Sequence, residues 1–423
     1  MKNNTIQKVL GFVLLPVILI LGGTKLASSM LFFRLLIGLG LGYALSRGYI
    51  GFAGSVNRAY NTGSTKLMRV LMVMFVSTAA IVGGMLLFSE PAADFGLWIN
   101  PINIGLILGA LLFGYGMTFS SCCASGVLTD LVTETPKAFV TLIFFGLGVF
   151  LGFPLQSSQD WIQKSWFRSS DKFEGVFLPD WFSGGPLNGY LGAFLVTLLF
   201  AAIVYAVAWH YEKKRHDAGT HGAVPSEARQ ENEEKFDLKN FKLFSAETYY
   251  QVFSKPWSML TGAVMITILF AVLMGATGSG WGASTPYGQW FGRLVAAFGV
   301  PADRLADFTG QKPEVFTTPF FEMGMNLQNI GIILGTLIYF LTSGQFAETF
   351  RGAWKLKWWQ FLLFAMGGLT MGFGTRLSNG CNVGALYSPI ANFSLSGWIW
   401  LVFMVIGGII GNKLQKAIYD KMS

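Results

Sequence analysis

Ten apolar stretches run along the chain, at 9–22, 30–46, 67–88, 102–120, 138–153, 189–210, 257–276, 327–342, 358–375 and 397–412, each bounded by charge, glycine or proline. A helix crossing a bilayer needs roughly 17–25 largely apolar residues. The pattern therefore predicts about ten spans and an all-α, polytopic helical membrane protein. Three polar stretches interrupt it. The longest, 211–256, is rich in charge and without apolar periodicity, and reads as a solvated, partly disordered linker between an N-terminal membrane half, 1–210, and a C-terminal one, 257–423. The other two, 156–186 and 277–322, mix charge with Trp161, Trp166, Phe167, Trp181, Trp281, Trp290 and Phe291, as interfacial belts do.

Composition sharpens this. Charged residues make up 12% of the chain, about half the share in a soluble domain, which excludes an ordinary soluble enzyme. The net charge of +8 forms no nucleic-acid-binding stripe. Bases gather instead after the second stretch (Arg47, Arg58, Lys66, Arg69), the sixth (Lys213, Lys214, Arg215), the eighth (Arg351, Lys355, Lys357) and the tenth (Lys413, Lys416, Lys421). With Lys2 and Lys8, this places both termini in the cytoplasm. The three histidines, His210, His216 and His221, lie in or beside one hydrophilic loop, which excludes a His-based metal site or proton relay inside the membrane. No cofactor is called for.

Two motifs carry the chemistry. GYGMTFSSCCASG, 114–126, and GFGTRLSNGCNVG, 372–384, align without a gap at a shift of 258, matching Cys123 to Cys381 and Cys122 to Gly380. A second set of matches, Gly38, Gly42, Gly51 and Arg58 with Gly331, Gly335, Gly344 and Arg351, has a shift of 293. Two related halves follow, and inverted halves are the favoured arrangement. Counting spans sets the two cysteine motifs in opposite directions while leaving Arg58 and Arg351 on one side. A re-entrant hairpin miscounted as a loop or a span would reconcile the two.

The glycines let backbone leave helical geometry, while Ser120, Ser121, Ser378 and Asn379 can satisfy the polar groups so freed. A new half-helix can then begin at each cysteine, its amides facing an incoming anion without a buried charge. Thiols are soft and polarizable, suited to a sulfur-bearing anion, and Cys123 and Cys381 are expected to work as neutral thiols. Gly380 and Asn382 flank Cys381, and Ser121 and Asn379 precede the two cysteine segments. Cys122 is as well explained by packing. Arg376 either attracts an anion at a mouth or snorkels to the interface, and Arg34 poses the same choice. Glu322 and Glu348 are candidate coupling groups that nothing singles out.

These residues resemble the YeeE/YedE family of sulfur-compound transporters, whose glycine-spaced motifs end in Gly-Cys-x-x-Gly. The second motif has that ending intact at 380–384, and 47–58 resembles the family's Arg-x-x-Phe-Cys-Phe signature, with Gly51 where the family has cysteine. The resemblance implies uptake of thiosulfate or a related anion, with cysteines as successive contact points. It extends to a branch linked with selenium metabolism, which the altered position would suit. It also implies a cytoplasmic sulfur-carrier partner of the TusA type. The competing readings are a membrane thiol-disulfide oxidoreductase, which commonly uses two exchangeable cysteine pairs, and a passive anion channel.

Overall fold

The computed structural model describes residues 2–89, 95–232, 242 and 244–422. It is helical throughout, with two isolated β-bridges among the described residues. The long helices are α1 (Lys2–Lys25), α2 (Ser29–Arg47), α4 (Lys66–Phe88), α5 (Ile104–Ser120), α7 (Thr135–Ser158), α8 (Tyr190–Asp217), α9 (Met259–Thr277), α11 (Gly324–Ser343), α12 (Trp358–Leu377) and α14 (Leu395–Met422). Between them lie the shorter α3 (Phe52–Thr62), α6 (Ala124–Thr133), α10 (Thr285–Ala297) and a π-helical turn, Asn382–Tyr387, running into α13 (Ser388–Ala391). Nine described segments are long and apolar enough to cross a membrane, one of them running through α5 and α6. The tenth long helix, α12, has its hydropathy diluted by glycines, two tryptophans and Arg376. Side-chain caps begin several of the spans: Ser28, Asn103 and Ser258 each accept from an amide three residues on.

In lipid, apolar side chains gain nothing by meeting one another, so helices associate through close backbone approach at small residues. The glycine contacts fix the directions. Gly109 meets Gly374 and Gly116 meets Gly367, so α5 and α12 are antiparallel. Gly114 lies on the Met404 carbonyl and Gly372 on that of Phe145, while Gly148 lies on Leu369 and Gly407 on Leu111. Each contact becomes the other when α5 is exchanged for α12 and α7 for α14. An internal two-fold of opposite membrane direction thus relates these helices.

The matches at a shift of 293 belong to a different relation. Gly38 and Gly42 lie on the carbonyls of Gln328 and Ile332, and Gly331 and Gly335 on those of Leu35 and Leu39, so α2 and α11 pack in parallel. The conflict between the two shifts disappears, because these helices are facing partners rather than counterparts under the inversion. Correspondingly, α1 packs on α11 and α8 on α4.

Part of 277–322 departs from the interfacial expectation. Gly278, with φ of 67°, turns the chain back inward, and Trp281 and Tyr287 are fully buried. Tyr287 meets Phe145, half-way along α7, at 5.2 Å between ring centroids. α10 is therefore re-entrant, its N-terminus at mid-depth. α3 does the same from the other side: Phe52 stacks on Phe75, half-way along α4. Trp161, Trp166, Phe167 and Trp181 are exposed.

Parts of 211–256 pack against the membrane helices while about half of its described residues are exposed. α8 continues to Asp217, and the helix Pro225–Glu231 docks on the membrane helices. Gln230 donates to the carbonyls of Gly48 (3.1 Å) and Trp257 (2.6 Å), and Glu227, itself buried, accepts from Ser64 (2.7 Å). The remaining linker residues, 233–241 and 243, lie outside the described residues.

Candidate functional site

Three breaks in the chain share one backbone design. Tyr49, Ser121 and Asn379 are left-handed, with φ of 51°, 52° and 57°. Two residues after each, an extended residue caps a new helix: Gly51 for α3, Cys123 for α6 and Cys381 for the π-helical turn. Left-handed backbone at a non-glycine residue costs about 1 kcal/mol or more and persists where the surroundings impose it. The hydroxyls repeat the design. Ser120 donates to the carbonyls of Gly116 (3.3 Å) and Cys122 (3.5 Å), and Ser378 to those of Gly374 (3.0 Å) and Gly380 (3.2 Å). In each case the carbonyl past the helix end, that of Cys122 or Gly380, gains a donor in this way.

Four helix N-termini therefore point into the protein, from α3, α6, α10 and the turn after Cys381. The hub is the start of α10. Tyr287 donates to the Ala124 carbonyl and lies within electrostatic reach of Cys122, Cys123 and Cys381 at once. The Ser284 hydroxyl and the amides of Val383 and Gly384 face the Cys381 sulfur, and Cys123 is within electrostatic reach of Cys381. All three thiols are free and buried. Cys123 meets the Ser125 hydroxyl at 3.5 Å, whereas Cys122 lies within electrostatic reach of Asp130 and of Lys137, which are ion-paired to each other (2.9 Å).

Arg376 has not snorkelled. It is 3% exposed, and its guanidinium donates to Thr375, Gln156, Thr285 and Ser284, all neutral. No carboxylate pairs with it among the described residues. A buried cation without a counter-charge is costly, and an anion relieves that cost. Asn379 joins the same group, accepting from Gln156 at 2.5 Å. Asn382 is fully buried, and among the described residues neither its oxygen nor its nitrogen has a partner. Donors and acceptors left open beside a thiol and a guanidinium form a polar receptacle.

Gly380 is required by space, since a Cβ there would run into the backbone of Gly384 and Ala385. This explains why no second cysteine sits before Cys381. Ser121 is exposed and turns its hydroxyl to the Thr118 carbonyl, away from the cysteines. At Gly51 an added Cβ would meet nothing within 4 Å. Ser284, Thr285 and Tyr287 escaped sequence reasoning, because their segment reads as an interfacial loop. The available sign was Gly278 followed within seven residues by Ser-Thr-Pro, a turn and then a helix start. An apolar groove of about 790 Å³ between α3, α8 and α14 contains none of these residues.

The sulphur transport family model matches residues 47–410. The chain belongs to this family, that of the YeeE/YedE proteins. A thiosulfate transporter, TsuA, of Spirochaeta thermophila is 24% identical over 388 residues, covering 89% of this chain and 97% of that protein. TsuA of Escherichia coli is 22% identical over 385 residues, 90% of this chain and 93% of its own length. A probable transporter of Escherichia coli, YedE, is 27% identical over 161 residues, a match spanning only 38% of either chain. The family is described by sulphur transport, and the nine apolar segments make the chain a multi-pass membrane protein.

Proposed function

We propose that the chain carries a small sulfur- or selenium-containing oxyanion, thiosulfate first among them, across a bacterial inner membrane, with Cys123 and Cys381 as soft contacts at mid-depth. The reading rests above all on Arg376, a buried guanidinium with neutral partners only, joined through Ser284 to the surroundings of Cys381. The anion supplies the missing counter-charge, the helix N-termini share it, and the Asn382 amide offers donor and acceptor. The thiols add polarizable contact without a full charge, so the anion is held loosely enough to leave.

Basic clusters, both termini and the linker share one side, which the positive-inside rule assigns to the cytoplasm. The linker divides two membrane halves there, and a TusA-type carrier is the partner expected on that face. The open space at Gly51 suits a larger chalcogen compound than a cysteine at that position would admit.

Uptake of radiolabelled thiosulfate, sulfite and selenite by cells or proteoliposomes tests this, comparing the unaltered chain with Cys123→Ala and Cys381→Ala. Loss of uptake of at least one anion in both variants supports it. Undiminished uptake in both removes the cysteines from the site.

A further inference from the structure

We infer that Arg34, Gln328 and the first turn of α11 form an outer oxyanion station, at the face away from the basic clusters, from which the anion passes to the cysteine site. The inference rests on the transport reading above. Arg34 donates to Gln328 Oε1 at 3.4 Å and to no carboxylate among the described residues. Its side chain lies across Gly324, where a Cβ would strike it. Gln328 is 1% exposed, and its Nε2 has no acceptor among the described residues. Oε1 takes the guanidinium, and the nitrogen on the other arm of the same amide keeps its hydrogens unspent. A buried donor without an acceptor costs about 1–3 kcal/mol. The partly buried Arg34 guanidinium is a second donor, with no carboxylate beside it among the described residues. The first amides of α11 add positive potential, because Met323 caps them with no side chain. Two neighbouring donors and a helix start suit the oxygens of a tetrahedral oxyanion.

The station connects inward. Asn329, the next residue and fully buried, donates to the Ala283 carbonyl at 3.0 Å, and its own oxygen has no partner. Ala283 precedes Ser284, which serves both Arg376 and Cys381. Arg34 with Gln328 and Asn329 with Ala283 thus set polar groups on successive residues of α11, the second of them bonded to the residue before Ser284.

The test is the concentration dependence of thiosulfate uptake in proteoliposomes, with melting temperatures of the purified variants. Arg34→Gln is expected to raise KM about tenfold, the factor of one charge-assisted hydrogen bond, with Vmax recovered at saturation. Arg34→Lys is expected to fall between. Gln328→Glu gives Arg34 the carboxylate it lacks. It should raise KM as much while leaving the melting temperature unchanged or higher, so a folding defect cannot mimic the result. Sulfate, which lacks the soft atom, should compete with thiosulfate in the unaltered chain and tenfold less well in Arg34→Gln. An unaltered KM in both Arg34→Gln and Gln328→Glu overturns the station but leaves the cysteine site standing. No oxyanion uptake by the unaltered chain overturns the transport reading and this one with it.

Discussion

The Tyr287 hydroxyl donates to the Ala124 carbonyl oxygen at 2.5 Å, tying the start of α10, which enters from one face, to the start of α6, which runs toward the other. Both ends of the bond are buried, and the ring that carries it reaches toward all three cysteines. Tyr287→Phe keeps the ring and its packing against Phe145 but removes the donor. The loss should be about 1 kcal/mol of stability, the net worth of one buried hydrogen bond. Transport should fall several-fold more than the amount of folded protein, as seen by uptake set against a thermal melt. Equal falls would reduce the tyrosine to a structural brace.

Arg376→Gln is expected to raise the KM for a transported oxyanion about tenfold or more. The guanidinium lies out of bulk solvent, where salt screens little. The effect should therefore persist from 50 mM to 500 mM potassium chloride. Arg376→Lys keeps the charge and loses the planar fork that reaches Ser284, Thr285 and Gln156, so it should recover only part of the affinity. Full affinity in Arg376→Gln would show that the helix ends and thiols suffice.

Asn382→Leu should separate function from stability. Both polar atoms of Asn382 are buried without partners, so replacing them with apolar atoms of similar size should leave the melting temperature unchanged or raise it. Uptake should fall severely. A residue retained for the fold alone would show the reverse.

Gly51 and Gly114 give opposite expectations for added volume. A Cβ at Gly51 meets open space, so Gly51→Cys should fold like the unaltered chain and react with a small methanethiosulfonate reagent. A Cβ at Gly114 falls on the Met404 carbonyl of α14, so Gly114→Ala should cost about 1–3 kcal/mol by forcing the helices apart. Denaturation of the two purified variants in mild detergent would check both.

Length and hydropathy made the spans readable, because a bilayer imposes its thickness on any helix that crosses it. All ten apolar stretches coincide with long helices. The motif repeat located the breaks at Ser121 and Asn379, since glycine, serine and cysteine in a fixed order are rare enough to be noticed twice. The break at Tyr49 gave no such sign, because tyrosine carries no preference for left-handed backbone; its conformation is imposed by the helices around it. α10 escapes the pattern for a related reason. Its outward pattern is that of a polar loop with aromatic residues, and only three-dimensional placement shows Trp281 and Tyr287 sealed inside. Arg376 and Asn382 were visible as residue types, but their lack of partners is a property of space and not of order along the chain.

The exchange of contacts between α5 with α14 and α12 with α7 has one more outcome. The likeness stops at the backbone: Thr118 stands where the other half has Arg376, Cys122 where it has Gly380 and Ala124 where it has Asn382. The two directions through the molecule are therefore mechanically alike and chemically unequal, with the cation and the open amide both on one branch.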